Sequence, residues 1–114
     1  MRVDSILDAI GQTPLVRLQR LAPPGCQVLV KLEGLNPGGS IKDRAVRSMV
    51  LAAEREGKLK PGDTLVEGTA GNTGVGLALA AAARGYKAVV VLPRNASADK
   101  QAVLRLLGAE IVHT

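Results

Sequence analysis

Aromatic side chains are almost missing from this 114-residue chain, which has no Phe, no Trp and one Tyr, Tyr86. That excludes modules that hold single-stranded nucleic acid by stacking bases on aromatic rings, and it leaves a core of Val, Leu, Ile and Ala. A single cysteine, Cys26, excludes an internal disulfide, and one cysteine with one histidine, His113, is too few ligands for a zinc site. Long apolar runs are also missing. The longest, Val75 to Ala83, is far short of the ~20 residues that span a bilayer. Asp4 and Asp8 interrupt the opening MRVDSILDAI, so it does not read as a secretory signal. The expectation is a soluble, cytoplasmic protein with no membrane partner.

What is present is globular in character: 46% apolar and 22% charged residues, with 15 basic against 10 acidic for a net charge of +5. The length suits one domain. Lys58, Lys60, Arg94, Lys100 and Arg105 fall on separate predicted elements with no basic stripe, so they read as solvated faces and not as a nucleic-acid footprint. Asn95-Ala-Ser97 matches a glycosylation pattern, but without a secretion signal it reads as helix capping. Cys26 and His113 have no visible partner in the sequence and receive no role.

Glycine and proline punctuate the chain into elements. A short helix is predicted over Ser5 to Ile10, an edge strand over Pro14 to Leu18, and a strand over Gln27 to Leu32. Glu33 to Gly39 reads as a loop. Ser40 then starts a helix to Gly57, with Ser40 and Asp43 spaced as a capping-box pair. Thr64 to Val66 reads as a short buried strand, Glu67 to Gly71 as a glycine-rich loop, and Asn72 to Arg84 as a helix closed by Gly85. A strand over Lys87 to Leu92, a helix from the Ser97 cap to Leu107, and a strand starting at Ile111-Val112 complete the order. From residue 64 onward the alternation of strand and helix implies an α/β fold, a parallel sheet with flanking helices in three layers.

Two loops carry residues suited to chemistry. Asn36-Pro-Gly-Gly-Ser-Ile-Lys42-Asp-Arg44 places two cations, and Arg47 just beyond it a third, in the first turns of a helix, where the dipole disfavours positive charge. Positive surroundings favour a neutral amine, the form that attacks a carbonyl. The plainer alternative is a solvated lysine. In Gly68-Thr-Ala-Gly-Asn-Thr-Gly74, small residues between a strand and a helix start let a ligand approach the backbone, and free N–H groups there bind carboxylate or phosphate. The alternative there is a tight turn with Asn or Thr capping. Leu79 stands where a dinucleotide fingerprint needs its third glycine, and no Gly-Lys-Ser/Thr of a P-loop follows. Both loops follow predicted strands, where open α/β sheets place their ligands.

Together with Gly11-Gln-Thr-Pro-Leu-Val-Arg17 and Leu107-Gly-Ala-Glu-Ile-Val112, the motifs Lys31 to Arg44 and Glu67 to Gly74 closely resemble the N-terminal part of the cysteine synthase (O-acetylserine sulfhydrylase) and cystathionine β-synthase family. The resemblance covers the whole chain. It implies a fold type II enzyme with the cofactor pyridoxal 5′-phosphate. It implies that Lys42 bonds to the cofactor aldehyde and shuttles the substrate α-proton, and that Asn72 hydrogen-bonds the cofactor's ring oxygen. Thr69, Ala70, Gly71 and Thr73 match the loop that grips the substrate α-carboxylate. Many members of the family carry Ser where this chain has Ala70.

The implied reaction is β-replacement of O-acetyl-L-serine by sulfide to give L-cysteine and acetate. The enzymatic runner-up joins serine to homocysteine as cystathionine β-synthase does, and a serine or threonine dehydratase is a weaker third. From a different class, the chain is a non-catalytic piece that pairs with a full-length subunit. Family members are longer, so a single partial domain is expected. Residues 1–35 form an N-terminal segment with the early strands, and residues 36–114 a cofactor- and substrate-loop subdomain. The C-terminal domain and the phosphate-holding loop are expected to fall outside this sequence. Little activity is expected of the chain alone, and a homodimer is expected of the full-length form.

Overall fold

The computed structural model describes residues 2–114. Its strands form two sheets. Strand β1 (Leu15–Arg17) pairs antiparallel with β2 (Leu29–Lys31), Val16 opposite Val30. Strands β3 (Thr64–Gly68), β4 (Lys87–Leu92) and β5 (Glu110–His113) form a parallel sheet in that order, with Leu65 beside Ala88 and Val90 beside Ile111. Helices α2 (Asn72–Arg84) and α3 (Ala98–Leu106) are the crossovers between these strands. Two crossovers of the usual right hand, advancing in one direction, place α2 and α3 on one face of the sheet, where they touch each other. Helix α1 (Lys42–Arg55) packs along α2.

Local sequence explains the clearest boundaries. Ala- and Leu-rich α2 ends at Gly85, whose φ of 78° is a left-handed conformation that side chains other than glycine's rarely adopt. The Ser97 hydroxyl accepts the Lys100 N–H at 3.3 Å and starts α3. The core is aliphatic, as expected of a chain without Phe or Trp. Val46 of α1, Ala78 of α2, Val90 and Leu92 of β4, and Leu104 of α3 are all buried within it.

The structure corrects several sequence expectations. The first helix is a single 3-10 turn, Ile6–Ala9, and a second such turn, Glu33–Leu35, interrupts the predicted loop. The predicted strand over Gln27 to Leu32 keeps only the residues facing the short β1. Strand β3 runs on through Glu67 and Gly68, which were assigned to the glycine loop, because β4 continues alongside and pairs with them. Only Leu65 of the supposedly buried Thr64 to Val66 is buried. Val66 lies on the sheet face away from α2 and is 63% exposed. The Ser40–Asp43 capping box does not form: the Ser40 hydroxyl accepts the Lys42 N–H at 3.1 Å, while Asp43 turns inward to the Gly38 N–H.

Among the described residues, no helix is long and apolar enough to cross a membrane.

Candidate active site

Helices α1 and α2 lie side by side and point the same way. Near their starts, a Cβ added to Gly76 would stand 3.5 Å from the Lys42 carbonyl oxygen and 3.2 Å from Val46 Cγ2. Near their ends, Arg84 donates to Glu54 at 2.9 and 2.6 Å, and the Tyr86 hydroxyl donates to the same carboxylate at 2.7 Å. Gly76 is one helical turn beyond Asn72. The backbone of Lys42 and the Asn72 turn therefore sit at the same end of the molecule, where β3 delivers the chain into α2. This is the carboxyl end of the parallel strands, the customary ligand end of such sheets.

Thr69 to Thr73 form one continuous turn from β3 into α2. The Thr69 hydroxyl accepts the Gly71 N–H at 3.0 Å, and the Thr69 N–H donates to the Val91 carbonyl at 3.0 Å, so the turn is tied both to itself and to β4. Gly74 lets it sit this low: a Cβ there would fall 2.8 Å from both Thr69 Cγ2 and Val90 Cγ1. Gly74→Ala is expected to destabilise the protein by about 1–3 kcal/mol by overpacking, measurable as a lower urea midpoint with an unchanged slope.

On its outer side the turn is open. Ala70 and Asn72 are exposed, and a Cβ at Gly68 would meet nothing within 4 Å. Above Gly71 the nearest group is the Lys100 ammonium, 3.9 Å from where a Cβ would lie. The sequence reading did not include Lys100, whose nearness to Gly71 depends on α3 packing beside α2. The surface hollows around Arg94 and His113, between α1 and β3, and beside Tyr86 contain neither Lys42 nor Asn72.

Lys42 is exposed, and its amine makes no hydrogen bond or ion pair within the described chain. The cationic cluster expected around it is only partly present, because Arg44 is held by an acid. Arg44 donates to Glu33 at 2.7 and 2.9 Å, and to the Gly11 carbonyl and the Thr13 hydroxyl at 3.2 Å each. Thr13 also donates to Glu33. Asn36 donates to the Glu33 carbonyl and carboxylate at 2.8 and 3.0 Å, and its side-chain oxygen accepts the Gly11 N–H at 2.9 Å. This network ties the segment before β1, the 3-10 turn after β2 and the start of α1 into one unit beneath the Lys42 loop. None of these partners was singled out from the sequence. Apart from the Asn36–Glu33 bonds, which span three residues, the contacts join residues 11 to 33 apart, a separation that no local pattern reports.

The hydrogen bond from Arg44, and next that from Thr13, hold the Glu33 carboxyl down at about 2 against an ordinary value of 4.5. A carboxyl with a lowered folded-state pKa contributes stability that is fully present above its unfolded pKa and lost as pH falls through the folded one. The contribution of Glu33 should therefore fade between about pH 4.5 and 2. Thermal melts across that window should show Glu33→Gln less stable than the parent at pH 6, with a shallower acid decline. Part of the decline remains, since Arg84 and then Tyr86 lower Glu54 in the same way.

The arrangement defines an α/β protein with an exposed lysine and an open glycine turn at the carboxyl end of a parallel sheet. Residues 6–114 match the family described as pyridoxal-phosphate dependent enzyme, and the chain belongs to that family. It is 54% identical to O-ureido-L-serine synthase of Streptomyces lavendulae, over 96% of this chain and 34% of that protein. It is 50% identical to cysteine synthase B of Salmonella typhimurium, over 96% of this chain and 37% of that protein. Cystathionine beta-synthase of Rattus norvegicus matches at 54% identity, over 96% of this chain and 20% of that protein. A crystal structure of O-ureido-L-serine synthase superposes on the whole chain with a TM-score of 0.96 at 52% identity, covering 36% of that structure. The chain thus spans about a third of the length of the first two of these relatives.

The family cofactor, pyridoxal phosphate, suits the residues present. Lys42 has an amine unpaired among the described residues, and the turn is open at Gly68, with the Lys100 ammonium near Gly71 as a counter-charge for an anionic group.

Proposed function

We propose that this chain is the lysine-bearing part of a β-replacement enzyme that exchanges the acetate of O-acetyl-L-serine for sulfide, giving L-cysteine. The observation that supports this reading is the approach of the Lys42 backbone to Gly76, one helical turn from Asn72. When bound, pyridoxal phosphate supplies an aldehyde that condenses with amines and a ring that withdraws electrons from the substrate Cα. Lys42 is the amine this chain offers to that aldehyde. With the substrate in place, the Lys42 Nζ would accept the α-proton. Asn72, exposed at the start of α2, would hydrogen-bond the ring oxygen of the cofactor. Thr69, Ala70, Gly71 and Thr73 hold the substrate α-carboxylate through hydroxyls and the free N–H groups at the start of α2. Acetate would leave from Cβ, hydrosulfide would add there, and the proton held on the Lys42 Nζ would return to Cα to give L-cysteine.

Residues 1–35 then serve as the segment carrying the early strands, and residues 36–114 as the subdomain of the cofactor and substrate loops. The whole enzyme is read as a cytoplasmic homodimer acting on small molecules.

Two relatives at 54% identity bear the names of other β-replacement enzymes, so the choice of nucleophile is the part to test. A hybrid is expected to decide it, with this chain replacing the matching first third of the Salmonella cysteine synthase B. Supplied with O-acetylserine and sulfide it should form cysteine, and Lys42→Ala should abolish the reaction. A folded hybrid that instead prefers serine with homocysteine, yielding cystathionine, overturns the sulfide assignment in favour of the second reading.

A further inference from the structure

We propose that Asp43 is a positioning residue for Lys42, its carboxyl setting the distance between the lysine-bearing helix and the Asn72 turn. The proposal rests on the role given to Lys42 above. Asp43 is 1% exposed, the one ionisable side chain fully buried among the described residues. One carboxyl oxygen accepts the Gly38 N–H, and the other, Oδ1, is buried without a partner. Burying a carboxyl so incompletely satisfied is costly, and burial pushes its pKa up. Such a cost in a helix start that needs no acid for capping calls for a reason.

The surroundings supply it. The carboxyl fills a space bounded by two glycines. A Cβ on Gly38, in the loop entering α1, would collide with it, and a Cβ on Gly76 of α2 would lie 3.4 Å from Oδ1. The Gly76 position also faces the Lys42 carbonyl at 3.5 Å, so lysine and spacer share one contact with α2. Asp43 thereby pins the loop before Lys42 with one oxygen and holds α1 off α2 with the other. Neighbouring helix residues diverge by about 100°, so a buried residue 43 commits residue 42 to a different direction, outward. Misplacing a reacting amine by about 1 Å is enough to slow its chemistry by about 100-fold.

The test compares Asp43→Asn, which keeps the shape and the acceptor oxygen, with Asp43→Ala, which keeps neither. The chain is incubated with pyridoxal phosphate and reduced with borohydride, and pyridoxyl incorporation is followed at each lysine by peptide mapping, well below the melting temperature. Exchange of the Gly38 amide proton is measured in parallel. Asp43→Asn should label Lys42 within about twofold of the parent rate and keep Gly38 protected. Asp43→Ala should label Lys42 about tenfold more slowly, with Lys58 and Lys60 unchanged and Gly38 unprotected.

Parent-like labelling of Lys42 in Asp43→Ala, or retained protection of Gly38, overturns the proposal. Equal slowing in the Asn and Ala variants overturns it as well. If Asp43→Ala does not fold, Gly76→Ala presses on the same contact from α2 and should slow Lys42 selectively. Parent-like labelling in that variant is again decisive against the proposal. A parent chain that labels Lys42 no faster than Lys58 removes the role given to Lys42 itself, while Gly38 exchange still reports whether Asp43 holds the loop.

Discussion

Reduction with borohydride after incubation with pyridoxal phosphate should leave the pyridoxyl group mainly on Lys42, and Lys42→Ala should remove that signal. The chain has six lysines, so selectivity is the informative quantity. Lys31 donates its ammonium to the Thr13 carbonyl, and Lys58 pairs with Glu56. Lys60 and Lys87 lie away from the glycine turn, and the Lys100 ammonium comes within 3.9 Å of where a Gly71 Cβ would lie, so Lys100 is the competing site to resolve in the peptide map. Lys42 alone combines an unpaired amine with a backbone held against α2 one turn from Asn72. Pre-placed groups react faster than free ones because the entropy of bringing them together has already been lost on folding. A preference of about tenfold or more for Lys42 over Lys60 is a conservative expectation from that effect. Uniform labelling of all six lysines would mean that the turn and the lysine do not act together.

Leu104→Ala should be among the most damaging single changes in the core, lowering stability by about 2–5 kcal/mol. Leu104 is 1% exposed, and it is the only buried residue of α3. A helix anchored by one side chain has no neighbour to redistribute the loss, so the cavity takes the docking of α3 with it. Strand β5 follows α3 and touches it, and Ala109 at the entry to β5 belongs to the same core. Loss of α3 therefore loosens the sheet edge as well. In a chain of this size the melting temperature should fall by roughly 10–20 °C. Leu106→Ala is the control. Leu106 lies two residues away and is 86% exposed, so the same truncation should change stability by less than about 0.5 kcal/mol.

Where the deciding forces were local, the sequence could be read nearly to the residue. Helix α2 runs from Asn72 to Arg84 and β4 from Lys87 to Leu92, as their flanking Gly85 and Pro93 indicated. The lysine motif and the glycine turn were legible for the same reason, each being a short run whose residue types only suit a loop feeding a helix. The surroundings of Lys42 were not legible. Asp43 looked like a capping acid, and Arg44 like a free cation. In the fold Asp43 reaches back to Gly38, and Arg44 spans 31 residues to Thr13 and 11 to Glu33. Val66 misled in the opposite sense: an apolar residue in a β-rich run reads as core, yet burial depends on which sheet face the helices cover.

From composition and order alone follow an aliphatic α/β chain, its parallel strands from residue 64 onward, and the two glycine-rich loops that feed α1 and α2. These depend on periodicity, chain punctuation and the handedness of crossovers, each a property of a few adjacent residues. Packing was needed for the rest: that the Lys42 backbone meets α2 one turn from Asn72, that Glu33 pairs with Arg44, and that the buried Asp43 carboxyl lies between α1 and Gly76 of α2. Those facts are contacts between segments far apart along the chain. Their free energies belong to pairs of surfaces that exist only once both helices are seated on the sheet.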